Sequence, residues 1–145
     1  MNNPSNEIPD DIYREVVRLS AIGDEHIEID SPTKAISAWQ RALDLLPNPK
    51  RVWDASVWLN ASIGDAFLQL EDFDSSLSYF REAEVSADGF SNAFVQLGIG
   101  VSLYELGNTE QAKEHLLRSY MLEGEQIFSE SDMKYLSFLK NEKLI

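Results

Sequence analysis

Residues 64–88 read GDAFLQLEDFDSSLSYFREAEVSAD, and five of them form a spaced set: Gly64, Ser76, Phe80, Ala83 and Asp88. The same offsets recur upstream as Gly23, Ala35, Trp39, Ala42 and Pro47, and downstream as Gly100, Ala112, Leu116, Ser119 and Gly124. One template of glycine, small residue, large apolar residue, small residue and breaker is therefore written three times. The residue types have a physical reason. Glycine in one helix lets a second helix cross close to its backbone, and the small residues of the second helix do the same from the other side. The large residue fills the space between them, and the breaker ends the unit. Such a unit cannot bury its apolar face alone, so stacked units share one core.

The offsets match a helix-turn-helix repeat of about 34 residues, the tetratricopeptide (TPR) unit. They predict an all-α chain with three TPR-like pairs at about 16–49, 57–90 and 93–126, stacked as a right-handed solenoid. Residues 1–8 are expected to be disordered, 9–126 to hold the repeats, and 127–145 to form a C-terminal capping helix.

Stop and start signals fit this division. Pro9-Asp10-Asp11 opens the first helix, and Ser31-Pro32 supplies an N-cap with proline at the first helical position. That second helix should run to about Leu46, where Pro47-Asn48-Pro49 stops it. From Lys50 to Leu70 the apolar residues keep helical spacing without a break, so one long helix is expected. Ser75 to Ala87 is its partner, and Asp88-Gly89 ends the unit. Phe90 to Leu106 and Thr109 to Leu122 make the third pair around Gly107-Asn108, a left-handed helix-ending signal. Ser131-Asp132 reads as a capping stretch before a last helix carrying Met133, Leu136, Phe138 and Leu139.

With 145 residues, 43% hydrophobic and 26% charged, the chain suits one globular domain. It has no cysteine, which removes disulfides, thiolate metal sites and a cysteine nucleophile together. Its polar, acidic start lacks the basic and apolar regions of a secretory leader. The most apolar stretch, Ala93 to Leu106, is interrupted by Gln96, Ser102 and Glu105, so no membrane span is expected and a cytoplasmic location is.

Charge narrows the partners. Twelve Lys and Arg stand against 25 Asp and Glu, for a net charge of −13. Nucleic acid and anionic membranes would be repelled, whereas a basic protein would be attracted. From Ile63 to Glu110 nine acids face one base, Arg81, so the acidic surface belongs to the middle of the chain. The tail instead carries Lys134, Lys140 and Lys143.

Groups able to do chemistry are scarce. No Gly-x-Ser-x-Gly elbow, phosphate-binding loop or dinucleotide fingerprint occurs; Leu97-Gly98-Ile99-Gly100 is a lone Gly-x-Gly in a helical pattern. His26 occupies a place that the repeat gives to a core aromatic, so it reads as packing, and His115 reads as a solvated face residue. No second histidine lies at the spacing a His-Glu-x-x-His site needs. No enzyme activity, metal or cofactor is expected.

In a stacked repeat, the first helix of each pair lines the concave groove. The residues assigned to that surface are Ser20, Asp24 and Ile27, then Trp58, Ala61, Asp65 and Leu68, then Phe94, Leu97, Val101 and Tyr104. Aromatics, aliphatics and carboxylates together suit an apolar, basic segment. For Leu68, Leu97 and Val101 the same spacing fits a core position equally. Trp53 and Trp58 lie five apart and cannot share a face, so one should be core and the other a contact.

The chain resembles small bacterial TPR proteins encoded beside polymorphic and Rhs-type toxins. The likeness rests on Trp53-Asp54-Ala55-Ser56-Val57-Trp58, Ala61-Ser62-Ile63-Gly64-Asp65-Ala66-Phe67, Asn92-Ala93-Phe94-Val95-Gln96-Leu97 and Glu105-Leu106-Gly107-Asn108. Arg118-Ser119-Tyr120-Met121-Leu122-Glu123-Gly124 and Glu130-Ser131-Asp132-Met133-Lys134-Tyr135 extend it, and together it spans roughly Ala38 to Lys140. Asp88-Gly89-Phe90-Ser91 departs from the Pro-Gly connection of the pattern, and Ser119 stands where alanine is usual. The resemblance implies an immunity protein that binds and neutralises a basic toxin domain. The rival is a secretion chaperone or adaptor holding an extended segment. The groove lacks the Lys and Asn set with which chaperone-docking TPR domains hold a C-terminal carboxylate.

Overall fold

A computed structural model describes residues 7–145, and all regular structure among them is helical. Helices α1 (Asp10–Glu28) and α2 (Pro32–Leu45) form the first antiparallel pair. Helices α3 (Asp54–Gln69) and α4 (Phe73–Glu84) form the second, and α5 (Ala93–Glu105) and α6 (Thr109–Glu123) the third. Helix α7 (Met133–Asn141) follows two short 3-10 turns, Glu125–Ile127 and Glu130–Asp132. Each pair packs on the next. Of the predicted disordered start, residues 1–6 lie outside the described residues.

The template is realised atom by atom. Trp39 lies so close to Gly23 that any Cβ there would overlap the indole. A Cβ on Gly64 would come within 2.7 Å of the Phe80 ring, and one on Gly100 within 2.7 Å of Leu116. Phe80 and Leu116 are fully buried, as are Ala35, Ser76, Ala83 and Ala112 at the small positions. Ser76 and Ser102 keep their hydroxyls satisfied in the interior by an Oγ–Oγ bond of 2.7 Å. Buried polar atoms must find such partners.

Helix ends differ from expectation in four places, one of them α4, which spans Phe73–Glu84 and not Ser75 to Ala87 because the Asp72 side chain caps it two residues early. The pattern from Lys50 to Leu70 is not one helix: Lys50–Val52 is a 3-10 turn, and Trp53 is extended before α3 begins. The Trp53 indole N–H donates to the Pro47 carbonyl at 2.8 Å, which turns the ring back onto the first pair and breaks the run. Similarly, Gly89–Ser91 is a 3-10 turn, and α5 starts only after Asn92, whose side chain accepts the Val95 N–H at 3.1 Å. Asp132 stands at the N-cap of α7, and the serine that caps the 3-10 turn before it is Ser129, not Ser131. Its N–H and hydroxyl both donate to Asp132 Oδ2, at 3.1 and 2.9 Å. Elsewhere the signals hold: Pro32 opens α2, and Gly107 takes φ +89° between α5 and α6.

Two core clusters run through the stack. One joins α1, α2 and the inner face of α3 around Leu19, Trp39, Leu59 and Ile63. The other joins Phe80, Leu97, Val101 and Leu116 to Phe128, Tyr135, Leu136 and Leu139 of the C-terminal segment. The last helix is thus part of the core. None of the helices among the described residues is long and apolar enough to cross a membrane.

Candidate functional site

Helices α1, α3 and α5 carry the predicted groove residues, and the fold sorts them by depth. Asp24, Trp58 and Phe94 are exposed, the two rings at 40% each. Ile27, Asp65, Leu68 and Tyr104 are half-buried. Ser20, Ala61, Leu97 and Val101 are buried, at 5–7%. Ser20 donates to the Val16 carbonyl within its own helix at 2.7 Å. Leu97 and Val101 share the core with Tyr135 and Leu136, so they support the face without offering area to a partner. Phe94 leans edge-on against Phe80, with ring centroids 5.8 Å apart. Trp53 is core at 8% exposure and Trp58 faces out, which divides the two indoles as their spacing requires.

At one end of this face, the last turns of α3 and α5 and the start of α7 enclose a cleft of about 390 Å³. Asp65, Leu68, Val101, Glu105, Asp132 and Lys134 are among its walls. Burial holds the Asp65 carboxyl above the ordinary carboxylate range, the charge of Asp132 pushes the same way, and a hydrogen bond with Gln69 opposes them. Glu105 differs. Burial alone would raise it, but Lys134 Nζ at 2.6 Å and the Tyr135 hydroxyl at 2.8 Å outweigh that and hold it below the usual range. Tyr104 stands edge-on to both Tyr135 and Phe138, at 5.3 and 5.0 Å between centroids. Lys134 lies 5.6 and 5.2 Å from the Tyr104 and Tyr135 rings, beside the carboxylate that binds it.

At the other end Trp58 stands between two further hollows. One, of about 440 Å³, is shared with Tyr13, Trp53, Asp10 and Asp54. The other, of about 220 Å³, is shared with Val57, Asp54, Asp88 and Asn92.

A polar hub lies behind the third pair. Gln96 is fully buried. Its amide donates to Glu84 at 2.8 Å and to the Phe90 carbonyl at 3.0 Å, while its oxygen meets His115 Nδ1 at 2.7 Å and Arg118 at 3.0 Å. His115 is therefore not a solvated face residue. Burial pushes its imidazole below the usual histidine range, against the attraction of Glu84. The residue that gave warning was Gln96 itself, the one amide in a largely apolar helix. His26 is half-buried, and its Nδ1 has no hydrogen-bond partner among the described residues.

Spacing did not reveal a second apolar hollow, of about 580 Å³, on the outer side of α6 between Phe90, Leu117, Met121 and Leu122. Arg118 covers one wall of it, 4.6 Å from the Phe90 centroid. No group of three or more potential metal ligands occurs among the described residues.

No protein-family model and no curated protein matches the chain. Among solved structures it is similar to the first TPR of Spaghetti (RPAP3) bound to the HSP90 peptide SRMEEVD. The TM-score is 0.70 at 16% identity, over 91% of this chain and 98% of that one. At that identity the likeness speaks for architecture alone, and it agrees with the helix pairs described above: the chain has an all-α, TPR-like fold.

Proposed function

We propose that this chain is a protein-binding module whose concave face takes a basic partner, and that its task is immunity. It would cover the working face of a cognate bacterial toxin, and exclusion would be the whole mechanism. The observation that carries the proposal is the chemistry of the concave face. Asp24, Trp58 and Phe94 are open to solvent there, and Asp65 is held partly desolvated with its carboxyl disfavoured as an anion. Groups kept in such an environment cost stability and concentrate where a site needs them. The net charge of −13 would speed encounter with a cationic surface. The toxin itself is supplied by the resemblance to immunity proteins. Blocking a toxin calls for no turnover and no cofactor on this chain, and it would take place in the cytoplasm.

The peptide of the RPAP3 complex, SRMEEVD, carries two glutamates and an aspartate against one arginine. The concave face here is itself acidic, which favours a ligand of the opposite sign. A chaperone or adaptor role is the alternative, and one observation favours it: the similar RPAP3 domain is bound to a short peptide and not to a folded domain.

Affinity capture at low and moderate salt, followed by co-expression, separates the two. Immunity predicts capture of a folded basic domain whose toxicity disappears when both proteins are made together. Capture of an aggregation-prone secreted protein through one extended segment would replace immunity with the chaperone role.

A further inference from the structure

We infer that Trp58 is the seat of a cationic side chain, a lysine or arginine, supplied by the partner. This deepens the proposed function by naming the chemistry of one contact on the concave face.

Two other aromatic sites in this protein already hold a cation. Arg118 lies over Phe90 and is held there by Glu84 and Glu114, at 3.9 and 3.3 Å. Lys134 lies over Tyr104 and Tyr135 and is held by Glu105 at 2.6 Å. In both places an aromatic face, a carboxylate and a cation form a closed set. Around Trp58 the first two components are present and the third is missing. Asp54 borders both of its hollows, Asp10 and Glu7 one and Asp88 the other, and among the described residues no lysine or arginine lines either. None of these three aspartates is in an ion pair among the described residues.

The indole is correspondingly idle. The Trp39 N–H donates to the Ser20 carbonyl at 3.2 Å and that of Trp53 to Pro47, whereas the Trp58 N–H has no acceptor among the described residues. Tryptophan offers a cation the strongest aromatic face, and carboxylates at its rim add direct Coulomb attraction. A neutral apolar side chain would use the ring and leave the rim unpaired, so a cation fits the hollows better.

The test uses the full chain labelled with nitrogen-15, in which the three tryptophans give three indole N–H signals. The probes are acetyl-Gly-Arg-Gly-amide, its lysine counterpart, and the citrulline peptide as an uncharged match in shape. The Trp58 signal should move saturably with arginine and lysine peptides, with Trp39 unmoved and citrulline without effect. Replacing two of the rim carboxylates, Asp54→Asn with Asp88→Asn, should weaken the binding about tenfold while the Trp39 signal reports an intact fold. A Trp58 signal that stays still at tens of millimolar probe, or moves equally with citrulline, overturns the assignment. A saturable shift in a protein that captures no toxin would keep this site and remove the immunity role.

Discussion

The Phe80 ring lies against Gly98, so close that no Cβ could stand at that position. Phe80 belongs to the second pair and Gly98 to the third, and Gly64 presses on the same ring from within the second pair. One side chain therefore locks two repeats together, and a glycine outside the threefold template makes the inter-repeat contact. The Gly-x-Gly of residues 98–100 is a packing device inside α5, with Gly98 serving one neighbour and Gly100 the other.

Gly98→Ala should destabilise the protein even though alanine is the better helix former. Helix propensity favours alanine by about 1 kcal/mol. Overlap with a fully buried ring that cannot move aside costs more, leaving a net loss of about 2 kcal/mol. The midpoint of urea unfolding measures it. In a Phe80→Leu background the same substitution should cost clearly less, because the shorter side chain frees the space.

Asp65→Asn should raise the melting temperature at neutral pH. The folded-state carboxyl titrates above its ordinary value, so its ionised form is the costly one, and the amide removes that cost. The sign reverses the usual acid effect: this group destabilises above its folded pKa, and the penalty is gone below the ordinary carboxylate value of 3.8. The gain of the variant should therefore vanish near pH 3. Affinity for a basic partner should fall in the same variant, which separates a binding role from a structural one. An unchanged or lowered melting temperature at neutral pH would contradict the placement of Asp65.

His115 should make the protein sensitive to mild acid. Its folded pKa lies below the ordinary 6.5, so between those values the unfolded chain takes up a proton that the folded chain resists. Stability is complete above about pH 6.5 and declines as pH falls toward the folded value. Thermal melts at pH 7.5 and 5.5 should show a larger drop for the native protein than for His115→Asn. Equal drops would mean that the imidazole is not disfavoured as a cation in the folded state.

Tyr135 tests whether the last helix is structural. Tyr135→Phe loses the bond to Glu105 and should cost about 1 kcal/mol. Tyr135→Ala empties a buried site packed on Tyr104 and should cost about 3 kcal/mol. If both substitutions are silent in urea unfolding, α7 does not hold the third pair.

The repeat was legible in the sequence because its determinants are local: Gly23, Trp39 and Ala42 lie within one unit and must fit one another. The break at Trp53 was not, since Val52, Trp53 and Val57 keep helical spacing while a hydrogen bond to Pro47 overrides it. Long-range partners hid the rest. Whether Leu97 and Val101 face water depends on where Tyr135 and Leu136 pack, and the half-buried His115 is bound by Gln96, nineteen residues earlier. The exposure of Asp24, Trp58 and Phe94 could be read from helical periodicity, because nothing in the C-terminal segment covers enough of them to bury them.

The most direct test of binding through an acidic concave face is the association rate of the captured partner against ionic strength, for two sets of variants. Replacing Asp24, Trp58 and Asp65 by Asn, Ala and Asn should slow association and flatten its dependence on salt. Replacing Glu110, Glu114 and Glu123 on α6 by Gln should leave affinity nearly unchanged. The opposite ranking, with the α6 set abolishing binding and the concave set silent, would place the partner on the outer face and contradict the proposed mode of action.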